Sequence, residues 1–284
     1  MAENRQRLPG SWPPSAGSLS VPHAIDFALL GLVPVALVAV FTLPLNYREQ
    51  LLFAVSDPTL LTAYTAPFVH LSYEHLLGNL LLYALAVPTG YVLSVSGGRR
   101  QLYRWAFVTF LVAFPLALAG LQFVFPRERI LFGFSGLNSA LVGLLCFMVV
   151  SHTSTHLSCT LQERDAPALL FFTIALITVL SIPTWAWMRE IALVSAGSGL
   201  LYVGSLLAEM GVPTWSSVVD GWGDGNFELA VIGLGVLFVF PFLAFYRTSA
   251  GNAAIFDLYG HLLGYCLGFL IVYVFAVMVS PRVS

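Results

Sequence analysis

Eight stretches of roughly 20 mostly apolar residues run through the sequence, at 25–44, 75–94, 103–125, 133–151, 167–185, 190–209, 228–246 and 258–279. About 20 apolar residues are what a helix needs to cross the hydrocarbon core of a bilayer. Inside that core every backbone N–H and C=O must be bonded internally, so only helices and closed barrels can span it. Stretches of this length predict helices, and the chain reads as an all-α polytopic membrane protein with about eight transmembrane segments. Prolines at 34, 88, 115 and 183 do not alter this, because neighbouring helices and water satisfy the carbonyls they free. The stretch 190–209 carries the weakest signal of the eight, because Ser-Ala-Gly-Ser-Gly lowers its hydrophobicity. Charge agrees with the apolar pattern: 9% of residues are charged, against about a quarter in soluble domains. The formal net charge of −2 argues against a nucleic-acid partner.

The densest cationic group, Arg99, Arg100 and Arg104, follows the second stretch. The positive-inside bias places it in the cytoplasm, and both termini with it, in a multi-pass protein of the cell membrane. Arg127 and Arg129 run against that bias. Residues 1–24 have Pro and Ser where a signal peptide needs an apolar run, so they are expected to form a retained, flexible tail. Residues 25–280 then form one transmembrane domain, with 281–284 as a short C-terminal tail. The connection 45–74 carries an apolar tract suited to the membrane interface. Cys146, Cys159 and Cys266 show no CxxC spacing, and the two in apolar stretches read as small hydrophobes.

Polar residues concentrate where the second, fourth and eighth stretches begin. The second opens on His70-Leu-Ser-Tyr-Glu-His75-Leu-Leu-Gly-Asn79, the fourth on Gly133-Phe-Ser135-Gly136, and the eighth on Asp257-Leu-Tyr-Gly260-His261. All three are even-numbered, so all begin on the same side of the membrane. Topology alone therefore brings a serine, two or three histidines and an asparagine to one depth in one leaflet. His75 and Asn79, at i and i+4, share a helix face. Ser135, Ser139 and Gly143 share another, as do Gly260, Gly264 and Gly268, a double GxxxG that permits close helix approach. Packing of the two small faces brings Ser135 Oγ toward His261, the contact an activated serine needs. A lone serine in a small-residue stripe is ordinarily a packing residue. The whole constellation at matched depth is better explained by chemistry.

These motifs, in this order and on these segments, resemble the rhomboid family of intramembrane serine proteases. The resemblance implies a six-helix core, here with two extra helices within 167–247. It makes Ser135 the nucleophile and His261 the general base of a dyad without a carboxylate. His75 and Asn79 join the backbone N–H of Ser135 in the oxyanion hole, and His70 anchors a loop. Gly133, Gly136, Gly260, Gly264 and Gly268 serve helix packing. Neither metal nor organic cofactor is implied; the partners are the lipid bilayer and single-span membrane-protein substrates. Three stretches, rather than one, separate the serine and histidine segments, an odd number that preserves the shared face. Ser139 stands where the family often has an aromatic residue, and 45–69 lacks a Trp-Arg pair found in many members. A non-catalytic rhomboid-like protein that binds membrane clients is the alternative, although a binder has no need of the dyad.

Other signals carry less. Gly-Trp-Gly-Asp at 221–224 matches the string of intramembrane aspartyl proteases, but it lies in a polar link and the chain has no Tyr-Asp partner. No HExxH occurs. His152 and His156 fall in a polar link and are expected to be solvated. Ser198 reads as helix packing, and Asp257 and Glu190 as charges at segment ends. Asn138 has no assignment.

Overall fold

The computed structural model describes residues 21–124, 130–156, 161–181, 187–210, 225–245 and 258–279. Ten α-helices occur among them: α1 Val21–Phe41, α2 Leu45–Gln50, α3 Leu60–Thr65, α4 Tyr73–Ser96, α5 Arg100–Leu121, α6 Ser135–His156, α7 Pro167–Ser181, α8 Met188–Met210, α9 Asn226–Phe245 and α10 Leu258–Val274. A π-helical turn, Phe275–Val279, continues α10. Each of the eight expected segments is a helix. Seven are long and apolar enough to cross a membrane; α7 has 15 described residues. The chain is an all-α polytopic membrane protein.

Helix α1 begins at Val21, four residues before the expected boundary, with Pro22 in the first turn, where its missing N–H is tolerated. Most of the expected tail, and residues 281–284, lie outside the described residues. The connection between α1 and α4 is structured. It holds α2, strand β1 (Phe53–Ala54), α3 and a 3-10 turn at Ala66–Phe68. Thr59 caps α3, accepting from the Thr62 N–H at 3.0 Å, and Ser72 caps α4, accepting from the His75 N–H at 3.2 Å. Strand β1 pairs antiparallel with β2 (Ile130–Leu131), Phe53 opposite Leu131. That pairing ties the first connection to the residues leading into α6.

Helix α6 is the centre of the bundle. Of its apolar stretch 89% is buried, against 17% for α1 and for α8. It packs against α4, α5, α9 and α10. Two contacts at opposite ends set helix directions. His152 Nε2, in the last turns of α6, lies 2.9 Å from the carbonyl of Asn226, which opens α9. Ala244, near the end of α9, meets His261 near the start of α10. Thus α9 runs antiparallel to α6, and α10 runs parallel to it. Helices α7 and α8 pack mainly on each other. Tyr202 of α8 donates back to the Arg164 carbonyl, just before α7, at 2.8 Å. The additional pair is therefore an out-and-back hairpin on the bundle's edge, and it leaves the parity of Ser135 and His261 intact.

The expectation of a solvated His152 and His156 is overturned. Helix α6 continues to His156, and His152 is fully buried where α9 begins. Around it, Glu163 accepts from Ser151 Oγ at 2.6 Å and from Arg99 Nε at 2.8 Å, and His156 Nε2 lies 3.1 Å from Ser96 Oγ. Nearby, Asp26 of α1 is 2% exposed. It accepts from Tyr91 Oη at 2.9 Å and Arg100 Nε at 2.6 Å, so the otherwise lipid-facing α1 is pinned to α4 and α5 by a buried carboxylate.

Candidate active site

The site is built on the contact between α6 and α10. A Cβ on Gly264 would fall on the Gly136 carbonyl, and one on Gly268 would lie 2.6 Å from Ala140 Cα. One on Gly143 would lie 2.7 Å from the Phe269 nitrogen. The two backbones therefore touch along three turns, which only side-chain-free positions allow in a bilayer, where association depends on close packing. Residues 136 and 264 pair, as do 140 and 268, in the constant register of parallel helices. The Gly260 carbonyl lies 3.8 Å from where a Gly136 Cβ would be. Ser135, one residue before Gly136, and His261, one after Gly260, consequently sit at the same end and level. Ser135 is partly exposed.

His261 is 5% exposed, and two residues that the sequence did not flag hold its ring. Its Nδ1 donates to the Ala244 carbonyl at 3.1 Å. Phe245 meets the imidazole edge-on, with centroids 5.8 Å apart and planes at 87°. A carbonyl can only accept, so Nδ1 carries the hydrogen and Nε2 of the neutral ring keeps its lone pair. That is the tautomer a base needs. Ser139, where an aromatic residue was the family expectation, is fully buried and donates to the Ser135 carbonyl at 2.8 Å.

His75 packs on the turn that enters α6. Gly133 has φ +96°, a conformation that L side chains rarely adopt, and a Cβ there would lie 2.7 Å from His75 Nε2. Phe132 meets the same ring edge-on at 5.4 Å. One turn along α4, Asn79 Nδ2 donates to the His75 carbonyl at 3.0 Å. Asn79 also faces Asn138, whose Nδ2 donates to both its backbone oxygen and its Oδ1.

His70 lies beneath this group, fully buried. Its Nε2 accepts from the Phe134 N–H at 3.4 Å, while the Gly133 N–H donates to the Ala66 carbonyl at 3.0 Å. Arg48 donates to the His70 carbonyl. His70 thus clasps the first connection to the turn before Ser135. Burial, reinforced by neighbouring His75, lowers its pKa to about 3, so the ring is neutral and can accept.

Among the described residues no three His, Cys, Asp or Glu side chains converge as a metal-ligand set. Ser198 lies on peripheral α8. Residues 221–224 and Asp257 lie outside the described residues.

The family profile of the Rhomboid domain matches residues 57–213, just over half of the 284-residue chain. The matched stretch holds His70, His75, Asn79, Ser135 and Asn138 and ends before α9 and α10. Neither curated proteins nor solved structures gave a match to the chain.

Proposed function

Because the chain belongs to the rhomboid family, we propose that it is an intramembrane serine endopeptidase that cleaves membrane-protein substrates in or near their transmembrane segments. Ser135 Oγ attacks the scissile carbonyl while His261 Nε2 takes its proton. The carbonyl oxygen becomes an oxyanion, stabilised by the Ser135 backbone N–H, His75 and Asn79, and removing one such donor costs about 3–4 kcal/mol. The tetrahedral intermediate collapses, His261 protonates the departing amine, and an ester links substrate to Ser135. Water, deprotonated by His261, then hydrolyses the ester and restores the serine hydroxyl.

The observation that carries this reading is the glycine-mediated register of α6 and α10, which sets Ser135 and His261 at one level. The Nδ1–H contact to Ala244 supports it, because it makes Nε2 the accepting nitrogen of the ring. A helical substrate has its carbonyls bonded internally, so local unwinding must precede attack. Substrates with Gly, Ser or Pro near the outer end of a single span unwind at least cost. The Arg99–Arg104 end faces the cytoplasm and the Ser135 end the opposite side.

Labelling of the purified protein with a fluorophosphonate tests the assignment. Wild type labels, and Ser135→Ala and His261→Ala do not. Equal labelling of Ser135→Ala refutes the nucleophile. An unlabelled wild type that still binds single-span proteins in liposomes would identify a non-catalytic client-binding member instead.

A further inference from the structure

Asn138 is the polar side chain near the site that the sequence leaves without a role. It follows Ser135 by three residues on α6, is fully buried, and reaches across to α4. Its Nδ2 donates to the Asn79 carbonyl at 3.0 Å and to Asn79 Oδ1 at 3.1 Å. On the other side, Asn79 Nδ2 donates to the His75 carbonyl at 3.0 Å. A carboxamide has an accepting oxygen and a donating NH2 of nearly the same shape, and only its partners decide which points where. Both ends are decided here. Turning the Asn79 amide over would set NH2 against NH2 at Asn138 and oxygen against oxygen at His75.

Packing does not account for asparagine at this position. Asn138 Oδ1 is buried without a hydrogen-bond partner, and an unmet buried acceptor is unfavourable where an apolar side chain of similar size would not be. We propose that Asn138 is a positioning residue for peptide hydrolysis, holding the Asn79 carboxamide in the orientation that presents its second Nδ2 hydrogen as an oxyanion donor. The inference rests on the serine-protease reading above. Of the two Nδ2 hydrogens, one is taken by the His75 carbonyl and one remains to donate. With the amide reversed, an oxygen would face the developing negative charge. The contribution therefore belongs to the transition state and enters kcat rather than KM.

The test is cleavage of a single-span substrate in liposomes by wild type, Asn79→Ala, Asn138→Leu and the double variant, with apparent Tm measured for each. Asn79→Ala lowers kcat by about 100-fold. Asn138→Leu lowers kcat by about tenfold and leaves KM within about twofold. In the Asn79→Ala background Asn138→Leu costs less than about twofold more, because the group it positions is gone. The Tm of Asn138→Leu stays within about 4 °C of wild type, since one unmet acceptor replaces another. If Asn138→Leu does not fold, Asn138→Ser, too short to reach Asn79, gives the same comparison. Wild-type kcat in these variants, or losses that multiply in the double variant, overturn the proposal. If Ser135→Ala abolishes cleavage but Asn79→Ala does not slow it, the serine reading stands and the positioning role falls. A wild type that neither cleaves nor labels overturns both.

Discussion

Gly133→Ala separates the geometry of the site from the stability of the fold. The substitution acts twice. At φ +96° an alanine is strained, which costs roughly 1–2 kcal/mol. Its Cβ would also lie 2.5 Å from His75 Cε1, where ordinary contact begins at 3.4 Å. The imidazole must therefore retreat by about 0.9 Å, the difference between those distances. A ring at the end of a side chain swings away at little energetic cost, so stability falls by little more than the backbone strain. Catalysis is less tolerant, since a misplacement of about 1 Å can cost about 100-fold in rate. Gly98→Ala is the control. Gly98 also has positive φ, +69°, but has nothing within 4 Å of a Cβ and lies at the other end of α4. Both variants are expected to lose about 1–2 kcal/mol in reversible unfolding from detergent. Only Gly133→Ala is expected to lose kcat, by about 100-fold, in a liposome cleavage assay. If the two variants share one kcat within about twofold, His75 does not act from the position against Gly133, and its oxyanion role is refuted.

The remaining expectations follow from other parts of the same geometry. His70 is neutral when folded, with its pKa lowered to about 3 from 6.5, so the unfolded chain binds its proton first as pH falls. Its contribution is complete above pH 6.5 and is lost toward pH 3, by about 1.4 kcal/mol per pH unit. His70→Gln keeps an acceptor for Phe134 and should flatten unfolding stability between pH 7 and 5; an unchanged slope would exclude His70 as the cause. Gly268→Val presses a side chain into the Ala140 backbone and should cost about 1–3 kcal/mol or more, together with fluorophosphonate labelling of Ser135. Gly235→Ala, which meets nothing within 4 Å, should leave both unchanged, and equal labelling of the two variants would show that the α6–α10 register is not needed. Phe245→Leu removes the edge-on contact to His261, worth about 0.5–1.5 kcal/mol. It should lower kcat by roughly twofold to just over tenfold at constant KM, and a changed KM with constant kcat would argue for a substrate-binding role instead.

The membrane-spanning segments and the shared end of Ser135 and His261 were legible from residue order. A bilayer imposes a length and a polarity on every segment that crosses it, and those two requirements are written locally. Gly260, Gly264 and Gly268 could be read as a contact surface for the same reason: close approach needs missing side chains at fixed spacing. Even the extra hairpin left a local trace, because three segments between Ser135 and His261 preserve their shared face. The burial of His152 left none, since its surroundings come from the start of α9 and from Glu163. Asn138 was silent because its partner, Asn79, lies 59 residues away on another helix.

The orientation of His261 shows where the sequence stops. That histidine and Ser135 stand out as residue types, and helix parity assigns them to one end of the bundle. What turns the imidazole so that Nε2 keeps its lone pair is the Ala244 carbonyl, a group every residue possesses and no residue type announces. Whether a backbone oxygen is placed to accept from Nδ1 depends on how α9 ends against α10. Chain order determined which groups meet at one depth; only helix packing decided which atoms of those groups face one another, because side-chain orientation and tautomer are set by neighbours distant in sequence.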